Sequence, residues 1–514
     1  MSEPQDYFEA SRIDKLQRIE KLGLDPWGGR FDGHQPIAGL RALPLDEANP
    51  PRVRAAGRIV LRRIAGKLHF LEIRDWSGQR VPRELKGKGH EGQTVDSWSS
   101  YIQVMIGAQQ VGETGWALAQ ELDLGDLLGV EGKLGKTRTG ELTIFADKLF
   151  YLGKSLQPHP DKWGGMQEME FRLRHRYLDL LYSPETLDRT LKRIKIVRTI
   201  RNYLDALGYM EVETPTLHAI AGGAAARPFI THHNTLDIDL YLRIALELHL
   251  KRLLVGGIEK VYEIGRVFRN EGISPRHNPE FTMMELYQAY GDYRTMMDLT
   301  EGLIVACASM VSGLPASDAS PRQLLLPYGN KTIDFTPPFQ RASYADLFKL
   351  HVGVAIDDVE GLKKAAAATG FPTENKHPDV IVHHLFEEKV EDKLAGPVFV
   401  YDYPATLCPL TKRKAGVPNI AERFELYIQG MELANAYTEL NDPITQEATF
   451  RQQLAGLPED ESMAKMDEDF VRALRHGMPP AGGLGIGIDR LVMLLTNTQT
   501  IRDVILFPLL RPEK

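Results

Sequence analysis

VYEIGRVFRNEGISPRHNPEFTMMELY, residues 261–287, is the stretch that decides how the rest of the chain folds. Two apolar, alternating runs flank eleven residues rich in charged, amide and imidazole groups, a pattern that predicts a long antiparallel hairpin. Because alternate side chains of a strand share a face, one face carries Glu263, Gly265, Val267 and Arg269 from the first arm and Phe281, Met283, Glu285 and Tyr287 from the second. An arginine clamps a phosphate, an aromatic ring stacks on a base, and a carboxylate receives an ammonium group. A solvated hairpin with scattered charges is the simpler alternative.

A second candidate strand, MELANAYTELN (431–441), places Asn435, Tyr437 and Glu439 on one face by the same alternation. If these side chains meet Glu285 and Tyr287, two carboxylates, an amide and two aromatic rings surround one cavity. Such a cavity suits a long aliphatic side chain ending in an ammonium group, because carboxylates bind the head and rings cover the methylene groups. An ordinary amphipathic strand is the alternative interpretation.

A glycine-rich run, GGLGIGIDRLVMLL (482–495), leads into a helical pattern. It is not a convincing dinucleotide-binding fingerprint, because no βαβ unit surrounds it and no ribose-binding acid follows. The glycines let a strand approach a ligand closely. Arg490, in the first turns of the following helix, is well placed for a phosphate.

The composition limits the possible classes of protein. A chain of 514 residues predicts two or three domains, and its net charge of −7 means that any nucleic-acid surface is a local patch. Cys307 and Cys408 lack metal-binding spacing and favour a reducing, cytoplasmic compartment over a disulfide framework. No apolar run of about 20 residues and no signal-peptide pattern is seen, so we expect no membrane.

Five short alternating segments between Val53 and Leu152 predict a small barrel, with the oligonucleotide-binding (OB) fold as the first candidate. In LHFLEIRD (68–75) alternation puts Phe70 on the polar face, where an aromatic ring is a base-stacking platform. In YIQVMIGA (101–108) Gln103 and Met105 point away from the apolar side. Residues 80–100 are polar and contain glycine, which predicts an inserted flexible loop.

These patterns divide the chain into four parts. Residues 1–50 form an N-terminal extension with a surface helix over 6–22, residues 51–155 form the barrel, and residues 156–185 form a linker rich in proline and glycine. The second domain, 186–514, opens with a long helix, a short strand and Pro215. Three helical segments predict an insertion over about 340–400.

The residues FRNEG and RHNPEFTMMELYQAY closely resemble the second signature motif of class II aminoacyl-tRNA synthetases, in the form that lysyl-tRNA synthetases of subclass IIb carry. Residues 186–215 resemble the first class II motif, and the glycine run with Arg490 resembles the third. The resemblance extends over nearly all of residues 50–513. It implies an α+β multidomain fold, with an N-terminal OB-fold β-barrel that binds the anticodon and an antiparallel-sheet catalytic domain with a helical insertion.

The implied reaction is lysine–tRNA ligation: lysine and ATP form lysyl-adenylate, and the lysine then passes to the 3′ end of tRNA(Lys). By resemblance, ATP is bound by Arg269, Glu271, His277, Asn278, Phe281 and Arg490, with Arg269 and Arg490 as the catalytic cations. Lysine is bound by Gly223, Glu247, Arg269, Glu285, Tyr287, Asn435, Tyr437 and Glu439. Glu425 and Glu432 hold Mg²⁺ on the ATP phosphates, since hard oxygen ligands suit that ion. Phe70, Gln103 and Glu141 read the anticodon.

Three positions differ from the usual family residue, and a fourth is out of phase with its predicted strand. Ala221 and Leu246 stand where prolines are usual, which loosens the backbone near the amino-acid pocket. Met105 stands where an aromatic residue is usual. Glu432 is out of phase with Asn435, so sharing a face requires a bulge or a turn, for which QGM (429–431) is a candidate.

The resemblance also implies a cytoplasmic homodimer that pairs through residues 186–215. Two other functions stay open: a catalytically weak paralogue that binds tRNA or modifies a protein lysine, and a subclass IIb enzyme specific for aspartate or asparagine. The barrel argues against a protein-modifying enzyme, because stand-alone relatives of that kind lack it. The predicted pair of carboxylates argues against aspartate and asparagine.

Overall fold

A computed structural model describes residues 3–46, 48–84, 94–157, 168–224, 226–314, 323–374, 376–455 and 467–513. The chain divides into two compact units, Met1–Asp188 and Arg189–Lys514. The predicted linker and the predicted inserted loop fall partly on residues 158–167 and 85–93, which lie outside the described residues. The three boundaries between the four parts inferred from the sequence therefore stay predictions.

The first unit contains a closed five-stranded barrel in the order β1-β2-β5-β7-β6. The strands of this unit are β1 (Arg52–Ala65), β2 (Leu68–Arg74), β3 (Arg80–Glu84), β4 (Thr94–Trp98), β5 (Tyr101–Gly107), β6 (Leu127–Lys136) and β7 (Leu142–Gly153). The helices of this unit are α1 (Glu3–Lys21), α2 (Ile37–Arg41), α3 (Ala108–Glu121), α4 (Met169–Arg174) and α5 (Arg176–Tyr182). The alternation works as predicted: Leu71 of β2 and Val104 of β5 are buried in the barrel, and Phe70 is half-buried on its outside. The expected OB-like barrel is confirmed.

The segment 80–100 differs from the expected flexible loop at its described residues. Strands β3 and β4 form an antiparallel hairpin, with Arg80 opposite Trp98. The Trp98 side chain is only 1% exposed and anchors the hairpin. The segment contains few aliphatic residues, so alternation alone did not reveal its strands.

The second unit is built on a nine-stranded, mostly antiparallel sheet in the order β16-β17-β19-β20-β21-β13-β12-β8, with β18 paired to β19. The strands of this unit are β8 (Met210–Glu211), β9 (Leu217–His218), β10 (Ile230–His233), β11 (Ile238–Leu242), β12 (Lys260–Phe268), β13 (Glu280–Ala289), β14 (Leu325–Tyr328), β15 (Lys331–Asp334), β16 (Gln340–Ser343), β17 (Val398–Pro404), β18 (Arg413–Lys414), β19 (Val417–Ile428), β20 (Met431–Thr438) and β21 (Ala481–Gly487). This is the antiparallel sheet that the sequence predicts.

The helices of this unit cover and extend that sheet. They are α6 (Pro184–Ala206), which contains the boundary between the units, α7 (Glu247–Val255), α8 (Tyr293–Ser312), α9 (Tyr344–Val352), α10 (Val359–Ala367), α11 (Pro378–Lys389), α12 (Pro443–Ala455), α13 (Glu468–Arg475), α14 (Ile488–Leu495) and α15 (Ile501–Val504). The three predicted helices near 343–393 are confirmed as α9 to α11. They lie between β16 and β17, so the ends of the predicted range 340–400 belong to the sheet instead.

Helix α8 begins at a capping box formed by Asp292 and ends at Gly313 in the left-handed conformation. Both are common signals for the ends of a helix. Within the described residues it is the one helix long and apolar enough to cross a membrane by length and composition. Its apolar residues, such as Leu303 and Ile304, pack in the main core of the unit. A buried core helix passes the same test of length and composition.

Candidate active site and nucleic-acid interface

Strands β12 and β13 form the hairpin predicted over residues 261–287. Their register places Glu263 opposite Glu285 and Val267 opposite Phe281. Opposed residues of an antiparallel pair point to the same face, so the predicted face of the hairpin is confirmed.

The same face continues across three further strands. Glu285 lies opposite Gly485 of β21, Gly485 opposite Asn435 of β20, and Asn435 opposite Glu425 of β19. A neighbouring row runs through Tyr287, Gly483, Tyr437 and Arg423. The glycines of β21 form the floor of the site, since a Cβ on Gly485 would lie only 3.1 Å from Asn435 and from Met283.

Glu432 joins this face through a β-bulge. The register shifts between Leu426 and Tyr427, so that Leu433 is the extra residue on β20. The Nδ2 atom of Asn435 donates to Oε1 of Glu432 at 3.1 Å. The bulge therefore lies beyond the candidate QGM segment, which forms the tight turn, with Gln429 and Gly430 both at positive φ.

The first of two cavities on this face, about 230 Å³ in volume, has all six residues predicted to bind ATP in its wall. These are Arg269, Glu271, His277, Asn278, Phe281 and Arg490. The guanidinium of Arg269 lies over the Phe281 ring, 5.2 Å from its centroid. The sequence prediction therefore brought together residues that are 221 positions apart at its extremes, Arg269 and Arg490.

Several polar atoms in this cavity are free to meet a ligand. Among the described residues, Nε of Arg269 and Oδ1 of Asn278 are buried without a hydrogen-bond partner, an arrangement that costs free energy unless a ligand completes it. Arg490 donates to the carbonyl of Glu432 at 2.6 Å and lies 3.2 Å from Nε2 of His277. Burial and then the neighbouring Arg490 lower the pKa of His277, so its ring is neutral near pH 7.

Asp489 was not predicted, yet it holds this cavity together. Its carboxylate accepts hydrogen bonds from Arg193 of α6 at 2.5 Å and from the backbone N–H of Thr282 of β13 at 2.7 Å. It thereby joins helices α14 and α6 to strand β13 beside the cavity. Its position next to Arg490 in the glycine-rich run is the signal that was available.

The second cavity has a volume of about 610 Å³ and adjoins the first. Arg269, Met283, Glu432, Asn435 and Gly485 line both. Of the eight residues predicted to bind lysine, seven line the second cavity: Gly223, Glu247, Arg269, Glu285, Tyr287, Asn435 and Tyr437.

Glu285 is the buried carboxylate in the wall of this cavity. Its oxygens accept from the Tyr287 hydroxyl at 3.2 Å and from the backbone N–H of Leu246 at 3.0 Å. Burial and then the neighbouring Glu247 raise the pKa of Glu285 to about 7. A positive charge brought beside it would favour the ionised form.

Leu246 contributes this hydrogen bond because it is not proline. A proline, which the family usually carries here, has no N–H to donate. Leucine in place of proline was expected only to loosen the backbone. In this chain, Leu246 also provides a backbone donor that stabilises the ionised form of Glu285.

Glu439 is the eighth residue predicted to bind lysine. It is absent from the described residues that line the cavity, and its carboxylate forms an ion pair with Lys251 of α7. The Lys251 ammonium, fully buried, also donates to Glu247 at 2.6 Å. Burial alone would lower the pKa of Lys251, but Glu247 and Glu439 raise it above its ordinary value, so the side chain stays charged.

Lys251 is thus a site residue that the sequence analysis missed. Its ammonium is paired with Glu439, so the two predicted carboxylates have different surroundings, while their shared role in lysine binding stays a prediction. The available signal was its spacing of four residues from Glu247 on a predominantly apolar helix.

Glu425 and Glu432, the predicted metal ligands, both line the second cavity. Glu425 accepts hydrogen bonds from Tyr403 at 2.7 Å and Tyr427 at 2.6 Å and is paired with Arg423. Burial and then the charge of Glu425 raise the pKa of Glu432. Two neighbouring carboxylates repel each other, and a hard divalent cation between them would remove that repulsion. Among the described residues, no group of three or more metal-ligating side chains is found.

On the barrel, the outer face carries Phe70 and Gln103 as predicted. The Arg63 guanidinium lies 5.9 Å from the Phe70 ring centroid, and Gln103 donates to Thr143 at 2.8 Å. Glu141 lies in the turn that leads into β7.

The inserted hairpin also reaches this face of the barrel. Its Arg83 binds Glu72 of β2 bidentately, with both distances 2.8 Å, and lies 4.0 Å from the Tyr101 ring centroid. The insertion thus neutralises an acidic side chain on the face that carries Phe70.

Comparison with known proteins agrees with this geometry. A family model described as class II tRNA synthetases (D, K and N) matches residues 168–511. The chain is 46% identical over 517 residues to the lysine–tRNA ligase of Moorella thermoacetica, covering 100% of this chain and 99% of that protein. It is 48% identical over 522 residues to the lysine–tRNA ligase of Pelotomaculum thermopropionicum, covering 99% and 96% of the two chains.

A third relative extends the comparison to another genus. The lysine–tRNA ligase of Staphylococcus saprophyticus is 46% identical over 524 residues, with 99% of this chain and 100% of that protein covered. The matches run through the barrel as well as the sheet. The chain therefore belongs to the class II aminoacyl-tRNA synthetases, in the lysine–tRNA ligase family.

Proposed function

We propose that the two adjoining cavities are the ATP and lysine sites of a lysine–tRNA ligase, which activates lysine with ATP and transfers it to the 3′ end of tRNA(Lys). The observation that carries the proposal is the position of Arg269, which lines both cavities and keeps a buried, unpartnered Nε. One guanidinium there can touch the lysine carboxylate and the α-phosphate at once.

The first step joins these two groups. An oxygen of the lysine carboxylate attacks the α-phosphorus in line, the bond from that phosphorus to the bridging oxygen breaks, and pyrophosphate leaves. Arg269 aligns the reacting groups, Phe281 stacks on adenine, Glu271 meets the base, and His277 and Arg490 meet the distal phosphates. Catalysis here rests on positioning and on stabilising charge that develops in the transition state.

The second step transfers lysine to the tRNA. A hydroxyl of the terminal ribose attacks the activated carbonyl carbon, its proton passes to a phosphate oxygen of the adenylate, and AMP leaves with the electron pair of the broken bond. The half-buried Glu247 and Gly223 hold the α-amino group in both steps, so the carbonyl carbon keeps its position.

We propose Mg²⁺ as the ion that accompanies ATP. Glu425 and Glu432 would hold it, because a cation relieves the repulsion between these two negative side chains and hard oxygen ligands suit magnesium. When bound, the ion neutralises phosphate charge.

The charge of the amino-acid cavity supports lysine over aspartate or asparagine. Three neighbouring carboxylates, those of Glu247, Glu285 and Glu439, share the single ammonium of Lys251, so the carboxylates outnumber this ammonium by two. The α- and ε-ammonium groups of lysine match this excess, whereas an aspartate side chain would add a further negative charge.

The assay that tests the specificity is ATP–pyrophosphate exchange with lysine, aspartate or asparagine as the amino acid. We expect exchange with lysine alone, followed by charging of tRNA(Lys). Exchange with aspartate or asparagine at a rate comparable to that with lysine would contradict the proposed specificity for lysine. Binding of tRNA without any exchange would favour the catalytically weak paralogue.

Anticodon binding is proposed for the barrel face around Phe70, Gln103 and Glu141. We expect Phe70→Ala to lower tRNA(Lys) charging roughly tenfold, since stacking on one base is worth about 1–3 kcal/mol. Lysine-dependent exchange should keep its parent rate, because that reaction needs no tRNA. An equal fall in exchange and charging would make Phe70 a structural residue.

A homodimer that pairs through residues 186–215 is also proposed. Large apolar side chains are exposed on this part of the second unit, among them Ile194 (50% exposed) and Met210 (59% exposed), as expected of a face that a second copy covers. We expect light scattering at micromolar concentration to give twice the mass of the chain. A fully active monomer under those conditions would refute the dimer.

A further inference from the structure

Phe70 is the one aromatic residue among the three predicted to read the anticodon, because Met105 stands where the family pattern usually has an aromatic residue. Strand β7, which pairs with β5 at this point, carries a second ring that the sequence analysis did not consider. It belongs to Phe145, which lies opposite Met105 in the register.

The register extends this pair into a row across all five barrel strands. The row runs from Arg63 through Phe70, Met105 and Phe145 to Lys133. Residues in register point to the same side of a sheet, and Phe70 points outward, so the row lies on the outer surface. Phe145 and Met105 are half-buried, and Lys133 is exposed.

A glycine shapes the surroundings of the Phe145 ring. A Cβ built on Gly135 of β6 would lie 3.3 Å from Cε2 of Phe145, so the ring lies against a backbone that has no side chain. An aromatic side chain that is only half-buried on the outside of a barrel leaves ring surface for a base to cover. Two strand spacings, about 10 Å, separate it from Phe70.

The ends of the row are positively charged. Arg63 borders Phe70 at one end and Lys133 borders Phe145 at the other. Aromatic rings interleaved with cations are the arrangement that binds single-stranded nucleic acid, because rings take the bases and cations take the backbone.

We propose that Phe145 stacks on a base of the tRNA anticodon loop other than the one that stacks on Phe70, and that Lys133 contacts an adjacent phosphate. The platform that Met105 cannot supply thus comes from the next strand. This inference rests on the proposed anticodon face, so its test measures Phe70 and Phe145 in parallel.

The test measures binding of the full-length protein to tRNA(Lys) transcripts, one intact and three with a single abasic anticodon position. We expect Phe145→Leu to weaken binding of the intact tRNA roughly tenfold. The loss should disappear with one abasic transcript, because that tRNA has no base to lose, and Phe70→Leu should respond to a different transcript. Phe145→Tyr keeps the ring and should bind as the parent does.

The matched control is Phe150→Leu, on the same strand. That ring is half-buried as well, but it packs against Phe31 with centroids 5.0 Å apart, so the change should reduce stability without distinguishing among the transcripts. Lys133→Ala should reduce the magnitude of the slope of log affinity against log salt concentration by about 1, the contribution of one phosphate contact.

The outcomes separate the two claims. If Phe70→Leu weakens binding and Phe145→Leu does not, or if Phe145→Leu weakens all four transcripts equally, the inference about Phe145 is wrong and the anticodon face stands. If neither variant affects binding, the anticodon face is wrong as well.

Discussion

Replacing Arg269 by alanine is expected to lower lysine-dependent ATP–pyrophosphate exchange by two to three orders of magnitude. Arg269 lines both cavities, and its buried Nε is one of the unpartnered donors there. Losing one donor aimed at transition-state charge costs about 3–4 kcal/mol. Because the guanidinium contacts both substrates, kcat should fall together with kcat/KM for lysine and for ATP.

Arg266→Ala is the matched control for this experiment. Arg266 lies in β12, three residues before Arg269, but opposite Thr282 on the other face of the hairpin, and its side chain pairs at 3.6 Å with the exposed Glu280. An exposed ion pair contributes about 0–1 kcal/mol, so exchange should stay within about twofold of the parent rate. If the two variants lose the same activity, Arg269 acts through the fold and not through the substrates.

Replacing Glu285 by glutamine is expected to raise the KM for lysine by about two to three orders of magnitude while the KM for ATP changes little. A buried ammonium that loses its charged partner costs about 3–5 kcal/mol. Glu285 lines the amino-acid cavity, and the backbone N–H of Leu246 and the Tyr287 hydroxyl hold its oxygens in place.

The pH dependence of lysine affinity, compared between the parent and Glu285→Gln, tests the role of this carboxylate. The pKa of Glu285 is raised to about 7, and only the ionised form attracts an ammonium. Lysine affinity should therefore be fully present above pH 7 and decline as the pH falls through that value. In Glu285→Gln this dependence should disappear, whereas a parent-like pH profile in the variant would assign it to another group.

Two control variants separate Glu285 from its neighbours. Glu280→Gln changes an exposed carboxylate on the same strand and should leave both KM values unchanged. Glu439→Gln removes the ion-pair partner of the buried Lys251, so it should lower the melting temperature more than it raises the KM for lysine. A larger KM effect in Glu439→Gln than in Glu285→Gln would restore Glu439 as the main acceptor of the ε-ammonium.

Local periodicity explains how much of the site was visible in the sequence. Alternation alone placed Phe281, Glu285 and Tyr287 on one face, because a strand has a fixed period of two. It placed Asn435 and Tyr437 correctly for the same reason. That these two faces belong to one sheet came from the family resemblance, since alternation says nothing about which strands pair.

The features that were missed depend on contacts that no local pattern encodes. The bulge at Leu433 breaks the period within β20. The pairing of Lys251 with Glu439 joins residues that are 188 positions apart, and the Leu246 N–H reaches Glu285 only after α7 has packed against β13. The β3–β4 hairpin was missed because its strands are polar, and only the buried Trp98 marks it.

The central claim is that Glu285 meets the ε-ammonium of lysine while Arg269 joins the lysine carboxylate to the α-phosphate. A crystal structure with a non-hydrolysable lysyl-adenylate analogue measures this directly. We expect the lysine Nζ within hydrogen-bonding distance of the Glu285 carboxylate, Arg269 on the linkage between the two moieties, and adenine on Phe281. An analogue whose Nζ lies away from Glu285, or whose adenine lies outside the cavity lined by Phe281, would contradict the account.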